Sequence, residues 1–188
     1  TYTEQQGSTW RIRFGLEDDD RTEGRGQGTN TVRLNARHVS VQLPVQPRHA
    51  PHPDAEALAI FVIVRPWIGS RIQVPRGVSI EFANLVKKLF ALEIGPVDKN
   101  LAPRTPGTQP VVSYSAGYNS AAASVLFPDA VHLHHRRVTH PDVPDNGRYR
   151  ADAIEQLVVA AGGRGRDVHI VRSDFEHLCS PYPTLPHW

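Results

Sequence analysis

Val111-Val112-Ser113-Tyr114-Ser115-Ala116-Gly117-Tyr118-Asn119-Ser120 sets two β-branched residues before a run of small and hydroxylated ones. Val111 and Val112 read as the start of a strand, and Asn119 to Phe127 as a short Ala-rich helix. The loop between them stands where a strand ends and a helix begins, the edge at which open parallel sheets bind ligands. Ala116 and Gly117 let the backbone approach a ligand closely, and Ser113, Ser115 and Ser120 add hydroxyl donors. The first amides of the helix and its dipole favour an anion there. Asn119 suits a helix N-cap and can also bond a phosphate oxygen. The same composition also suits an ordinary tight turn, in which Ser, Gly and Asn are common.

Working outward, Pro128-Asp129 turns the chain into a second strand, Ala130 to Val138. A Pro-containing loop leads to a second helix, Tyr149 to Ala161, whose apolar positions include Ala153, Leu157 and Val158. Gly162-Gly163 closes it as a glycine C-cap, and Asp167 to Arg172 is a third strand. The order β-α-β-α-β predicts an α/β fold with a parallel, Rossmann-like sheet and right-handed crossovers.

The N-terminal half reads differently. Thr9 to Glu17 alternates as a half-buried strand, Asp18 to Asn30 as a charged, Gly-rich loop, and Val32 to Leu43 as two short strands. Asp54 is placed to cap an apolar helix that ends before Pro66, and Arg71 to Val74 is a short strand ended by Pro75. Ser79 opens a second helix, with Phe82, Leu85, Val86, Leu89 and Phe90 on one face and Gly95-Pro96 as its stop. The expected organisation is a smaller α+β domain over 1–102, a linker over 103–109 and the α/β domain over 110–188.

The 111–120 stretch resembles the signature of the PP-loop ATP pyrophosphatases, the adenine nucleotide alpha hydrolase-like superfamily. There a strand leads through Ser-Gly-Gly-x-Asp-Ser into a helix. The short helix, the Pro-Asp turn and the second strand follow the same order, so the resemblance runs from about Gln109 to Asp174. It implies a HUP-type sheet and an enzyme that uses ATP and Mg2+. Such an enzyme breaks ATP between the α and β phosphates, adenylates a carboxylate or amide-like substrate and releases pyrophosphate. Carried over, Ser115, Gly117 and Ser120 would hold the pyrophosphate, flanked by Ser113, Ala116 and Tyr118, and Ser115 and Asn119 would stand at the catalytic positions. Ala116 replaces the first Gly of the signature. Asn119 replaces its Asp and removes a negative charge beside the magnesium-bound pyrophosphate. That change favours an alternative, a catalytically degenerate nucleotide-binding or scaffold protein. The family sheet has more strands than the three read here, so a completing strand is expected from beyond Trp188, from a second copy or from a partner.

Other groups carry competing readings. Arg136 and Arg137 can contact phosphate or carboxylate bidentately, or stand solvated. His132 and His134 share one face of their strand and could hold a metal with Asp142 or Asp145, although half-exposed, metal-free histidines are the expectation. Asp174 could ligate magnesium, but a cap on the turn Phe175 to Leu178 is favoured. Cys179 reads as a buried, inert thiol, and Trp67 as a packing residue at a helix-to-strand corner.

Composition bounds the rest. Lys and Arg total 21 against 19 Asp and Glu, too balanced to argue for a nucleic-acid partner. One cysteine excludes an internal disulfide framework and any multi-Cys metal site, and it fits a reducing, cytoplasmic setting. No apolar run approaches the roughly 20 residues that span a bilayer, so no membrane role is expected. The expected partners are a nucleotide and a small-molecule substrate.

Overall fold

The structure, a computed structural model, describes residues 1–25, 31–115, 117–142, 151–162 and 168–180. Strand β1 (Tyr2–Gln6) turns through Gly7, at φ +60°, into β2 (Thr9–Arg13). The positive φ at this turn is one that glycine adopts without strain. Two short strands follow, β3 (Glu23–Arg25) and β4 (Thr31–Leu34), so the charged 18–30 segment is not loop throughout. Strand β5 (His38–Gln42) completes this part.

Helix α1 (Pro53–Val64) begins one step earlier than expected. Its N-cap is His52, whose ring Nδ1 accepts the Asp54 amide at 3.2 Å, with Pro53 at the first helical position. Asp54 has a different task. Its buried carboxylate accepts the backbone amide of Ser79 at 2.8 Å and the Ser79 hydroxyl at 2.7 Å. It also accepts the Arg104 amide at 3.2 Å. Strand β6 (Arg71–Val78) runs on through Pro75, where its pairing register shifts between Gln73 and Val78. An irregularity of that kind is where a strand tolerates a residue without an N–H. Helix α2 (Ile80–Phe90) is capped by the Ser79 hydroxyl, which accepts the Phe82 amide, as the sequence predicts. It stops at Ala91 in the left-handed region, and Gly95-Pro96 lies within β7 (Glu93–Val97), which pairs in parallel with β6.

The α/β part contains β8 (Val111–Ser113), α3 (Tyr118–Leu126), β9 (Val131–Arg137), α4 (Ala151–Gly162) and β10 (Val168–Ser173). A 3-10 turn (Phe175–Leu178) and β11 (Cys179–Ser180) follow. β8, β9 and β10 are parallel neighbours, with Ser113 opposite Leu133 and Ser173 opposite Arg137. This is the β-α-β-α-β arrangement read from the sequence.

The sheet does not stop at three strands. Its order is β1-β2-β5-β10-β9-β8, so strands from both sides of the 103–109 segment share it. β5 pairs antiparallel with the end of β10, Ser173 opposite Val41. The widening comes from the N-terminal half because β10 would otherwise expose a row of unpaired amides and carbonyls. β8 forms the opposite edge. A second sheet, β11-β4-β3, ties Cys179 to Leu34.

The larger core gathers Ile12, Val39, Ile60, Phe61, Trp67, Val78 and Leu178. Trp67 packs there as expected. The smaller core, under the parallel strands, holds Tyr114, Val158 and Ala161 against Val168 and Ile170. Val125, Leu126 and Phe127, at the end of α3, remain exposed.

The Asp54 junction joins α1, the start of α2 and the 103–109 segment, so its loss leaves buried donors unpaired. Asp54→Ala is expected to lower the unfolding free energy near neutral pH by about 2–4 kcal/mol in urea melts. Burial raises the Asp54 pKa, but the bonds from Ser79 and Arg104 outweigh it and hold the group below its ordinary value. The contribution is therefore present above about pH 4 and is lost as pH falls through the folded-state value. The gap between wild type and variant should narrow in acid.

Candidate functional site

The 113–120 loop leaves the sheet at the carboxyl edge of β8. Tyr114 is its buried anchor: its amide donates to the Leu133 carbonyl at 2.8 Å, and its own carbonyl lies 2.8 Å from His134 Nδ1. After Tyr114 the chain opens out. Ser113, Ser115, Gly117, Tyr118 and Asn119 are exposed, Tyr118 at 96%, while Ser120 is buried; Ala116 lies outside the described residues.

Helix α3 starts with Gly117 at the N-cap position, and no side chain caps it. An α-helix leaves its first amides without intrahelical acceptors, so this end presents donors together with the positive end of the dipole. Asn119 is inside the first turn and does not cap it. Hydroxyls line the approach. Ser115 Oγ donates to Ser120 Oγ at 3.3 Å, and Ser120 Oγ donates to the Gly117 carbonyl at 2.9 Å. A Cβ added at Gly117 would meet only Ser115 Oγ, at 3.5 Å. Packing alone therefore does not demand glycine there.

The two arginines of β9 take different directions. Arg136 Nη1 pairs with Glu155 Oε1 of α4 at 2.6 Å. Arg137 pairs with the buried carboxylate of Glu176. Burial raises the Glu176 pKa, and the Arg137 charge opposes that rise. Both guanidiniums thus serve ion pairs between elements.

His132 and His134 are buried, in contrast to the half-exposed positions expected from strand alternation. Alternation assigns a face but does not tell which face α4 and the loop will cover. His134 is held by the Tyr114 carbonyl, and His132 packs edge-on against the Tyr114 ring. Asp145 lies outside the described residues. His135 faces the other side, with Nε2 2.6 Å from Ser173 Oγ and its ring beside Phe175.

Asp174 is buried at the end of β10. Its Oδ1 accepts the Ser40 amide at 2.8 Å, and its side chain makes no cap bond to the 3-10 turn. It stands two strands from β8, a distance of about 10 Å by strand spacing alone. No residue of the 113–120 loop is acidic. The loop thus fits an anion, and it offers no carboxylate to a magnesium ion. Burial raises the Cys179 thiol to about 12, which keeps it protonated and inert.

The sequence singles out Asp142 and Asp174 as possible metal ligands, but not the cluster in which the structure places them. His38 at the start of β5, His140 and Asp142 after β9, and Asp174 after β10 meet at the same edge of the sheet. His140 and Asp142 are two residues apart, but His38 lies 102 positions from His140, and nothing local in the sequence joins it to them.

Comparison with protein-family models, with curated proteins and with solved structures yields no significant match. Among the described residues no helix is long and apolar enough to cross a membrane.

Burial, reinforced by Arg137 and His134, lowers the His135 pKa to about 4. Its unfolded value is about 6.5, so the unfolded chain binds the extra proton between those limits. Stability is full above about pH 6.5 and falls as pH drops toward 4. Because the ring is partly exposed, the effect should be about 2 kcal/mol. His135→Gln should remove that part of the acid slope, measured as the wild-type-minus-variant difference in denaturant melts.

Proposed function

We propose that the chain is an ATP-binding enzyme of PP-loop type, in which the 113–120 loop grips the nucleotide polyphosphate. The observation that carries this reading is the uncapped start of α3 at the carboxyl edge of a parallel strand, with Ser115 and Ser120 beside it. Exposed amides, a favourable dipole and two hydroxyls are what a polyphosphate requires. A carboxylate or amide-like oxygen of the substrate attacks the α-phosphorus, the bond to the bridging oxygen breaks, and pyrophosphate leaves with that oxygen. In this reading Ser115 and Asn119 serve the reacting end, and Ser113, Gly117, Tyr118 and Ser120 complete the cradle. No residue of the loop is acidic, so magnesium would be held by the phosphates themselves and would supply charge neutralisation there. Arg136 and Arg137 act by fixing β9 through their ion pairs. Among the described residues β8 pairs with β9 alone, and its other edge suits a further strand from a second copy or a partner. A cytoplasmic setting supplies the ATP.

One observation favours a second reading, a catalytically degenerate nucleotide-binding or scaffold protein. Asn119 brings no charge to the position where the PP-loop signature carries Asp.

Two measurements test the pair. Gly117→Ala should keep the fold, given the open space at that Cβ, yet weaken ATP binding by about tenfold in calorimetric titration, since an added methyl blocks close backbone approach. An unchanged affinity, or no ATP binding by the wild type, would refute nucleotide capture by this loop. With ATP and a panel of carboxylates, AMP and pyrophosphate should appear. ADP, or no product, speaks against adenylation. Turnover gained by Asn119→Asp marks a degenerate site, and turnover lost marks Asn119 as the working group.

A further inference from the structure

Residues 102 positions apart meet where β5 begins and the chain leaves β9. The His38 and His140 rings lie against each other, centroids 4.5 Å apart. His140 Nε2 is 3.1 Å from the His38 carbonyl oxygen, so this nitrogen carries the proton and donates. Its Nδ1 keeps a lone pair, which accepts the Asp142 amide at 3.1 Å. Asp142 Oδ2 lies 3.7 Å from His38 Nδ1. One ligand atom from each of the three residues falls within 4.8 Å of the others.

We propose that His38, His140 and Asp142 form a binding site for one divalent transition-metal ion of the zinc class. Zinc ligands about 2 Å from the ion stand roughly 3.3 Å apart, so small side-chain rotations close the set. A ring N–H given to a backbone carbonyl is the usual second interaction of a metal-bound histidine, because it fixes the tautomer and the ring orientation. Imidazole nitrogen selects zinc, cobalt or nickel over magnesium. Binding asks His140 Nδ1 to give up the Asp142 amide. That donor lies next to an Asp142 side chain 65% exposed, where water can replace the lost acceptor.

The surroundings suit a cation on balance. Asp174 stands behind both rings with Oδ1 anchored on the Ser40 amide, and Arg11 opposes it near His38. A neutral imidazole is the form that ligates a metal, and His140 already shows the matching arrangement, with Nε2 toward the His38 carbonyl and Nδ1 holding the lone pair. Three protein ligands leave the fourth position of a tetrahedral ion for water or a substrate, as in catalytic rather than structural zinc sites. The site shares the carboxyl edge of the parallel strands with the 113–120 loop, but its ligands come from the start of β5 and the segment after β9, and it stands whether or not the loop binds ATP.

The test uses the full chain, stripped with chelator and titrated with Zn2+ by calorimetry and with Co2+ by visible absorption. The wild type should take up one ion per chain. Asp142→Asn, a near-isosteric change at an exposed side chain, should weaken uptake by at least about tenfold and lose the cobalt spectrum. His38→Gln should do the same, with circular dichroism confirming that it folds; if it does not fold, Asp142→Asn decides. His49→Gln, at an exposed histidine elsewhere, should change nothing. Absence of uptake by the wild type, unchanged affinity in Asp142→Asn, or equal loss in His49→Gln would overturn the proposal.

Discussion

The carboxylate of Asp174 accepting the Ser40 amide stands at the point where the two halves of the chain become one sheet. Around it β10 and β5 pair over Arg172–Gln42 and Ser173–Val41. Just beyond, the Asn35 amide donates to the Leu178 carbonyl at 2.6 Å, and β11 pairs with β4. A buried carboxylate is costly unless its lone pairs are satisfied, and here burial does raise its pKa against the opposing effect of that hydrogen bond. The group is held in place because the antiparallel join presents a backbone donor to it. Without that join, β10 would be an open edge and Leu178 and Cys179 would lose their place in the larger core.

This constraint also sets where chemistry can occur. The parallel strands β8, β9 and β10 all release the chain on the same side, and their loops collect there. β8 releases a loop of small and hydroxylated residues into an uncapped helix. β9 releases His140 and Asp142, and β10 releases Asp174. The antiparallel β5 brings His38 to this edge from the opposite direction, because its first residue lies beyond the last residue of β10. The loop proposed to bind an anion and the cluster proposed to bind a cation are thus separated by strand order. β8 lies at one border of the sheet, while His38 enters from the far side of β10.

Much of the α/β part was legible because each of its signals is local. Valines before a small-residue loop, the Pro-Asp turn and the alternation of β9 mark elements to within a residue or two. The N-terminal half was harder. Pro75 and Pro96 read as strand and helix terminators, but both lie inside strands of the β6-β7 pair, where a shifted register accommodates Pro75. Asp54 read as a cap, yet His52 and Pro53 begin the helix and leave its carboxylate for Ser79, 25 residues away. Burial of His132 and His134 was likewise beyond reach, since a period of two says nothing about what covers a face. The His38–His140–Asp142 cluster depends wholly on tertiary pairing. The 113–120 loop could be read from sequence, but not the ion pairs that occupy Arg136 and Arg137.

The central claim is that the amides at the start of α3 receive a polyphosphate. A crystal structure of the full chain with a non-hydrolysable ATP analogue tests it most directly. The account predicts phosphate oxygens within hydrogen-bond distance of the amides of residues 118–120 and of the Ser115 or Ser120 hydroxyl. A nucleotide seated elsewhere, or those amides bonded to protein atoms with the analogue in excess, would contradict it.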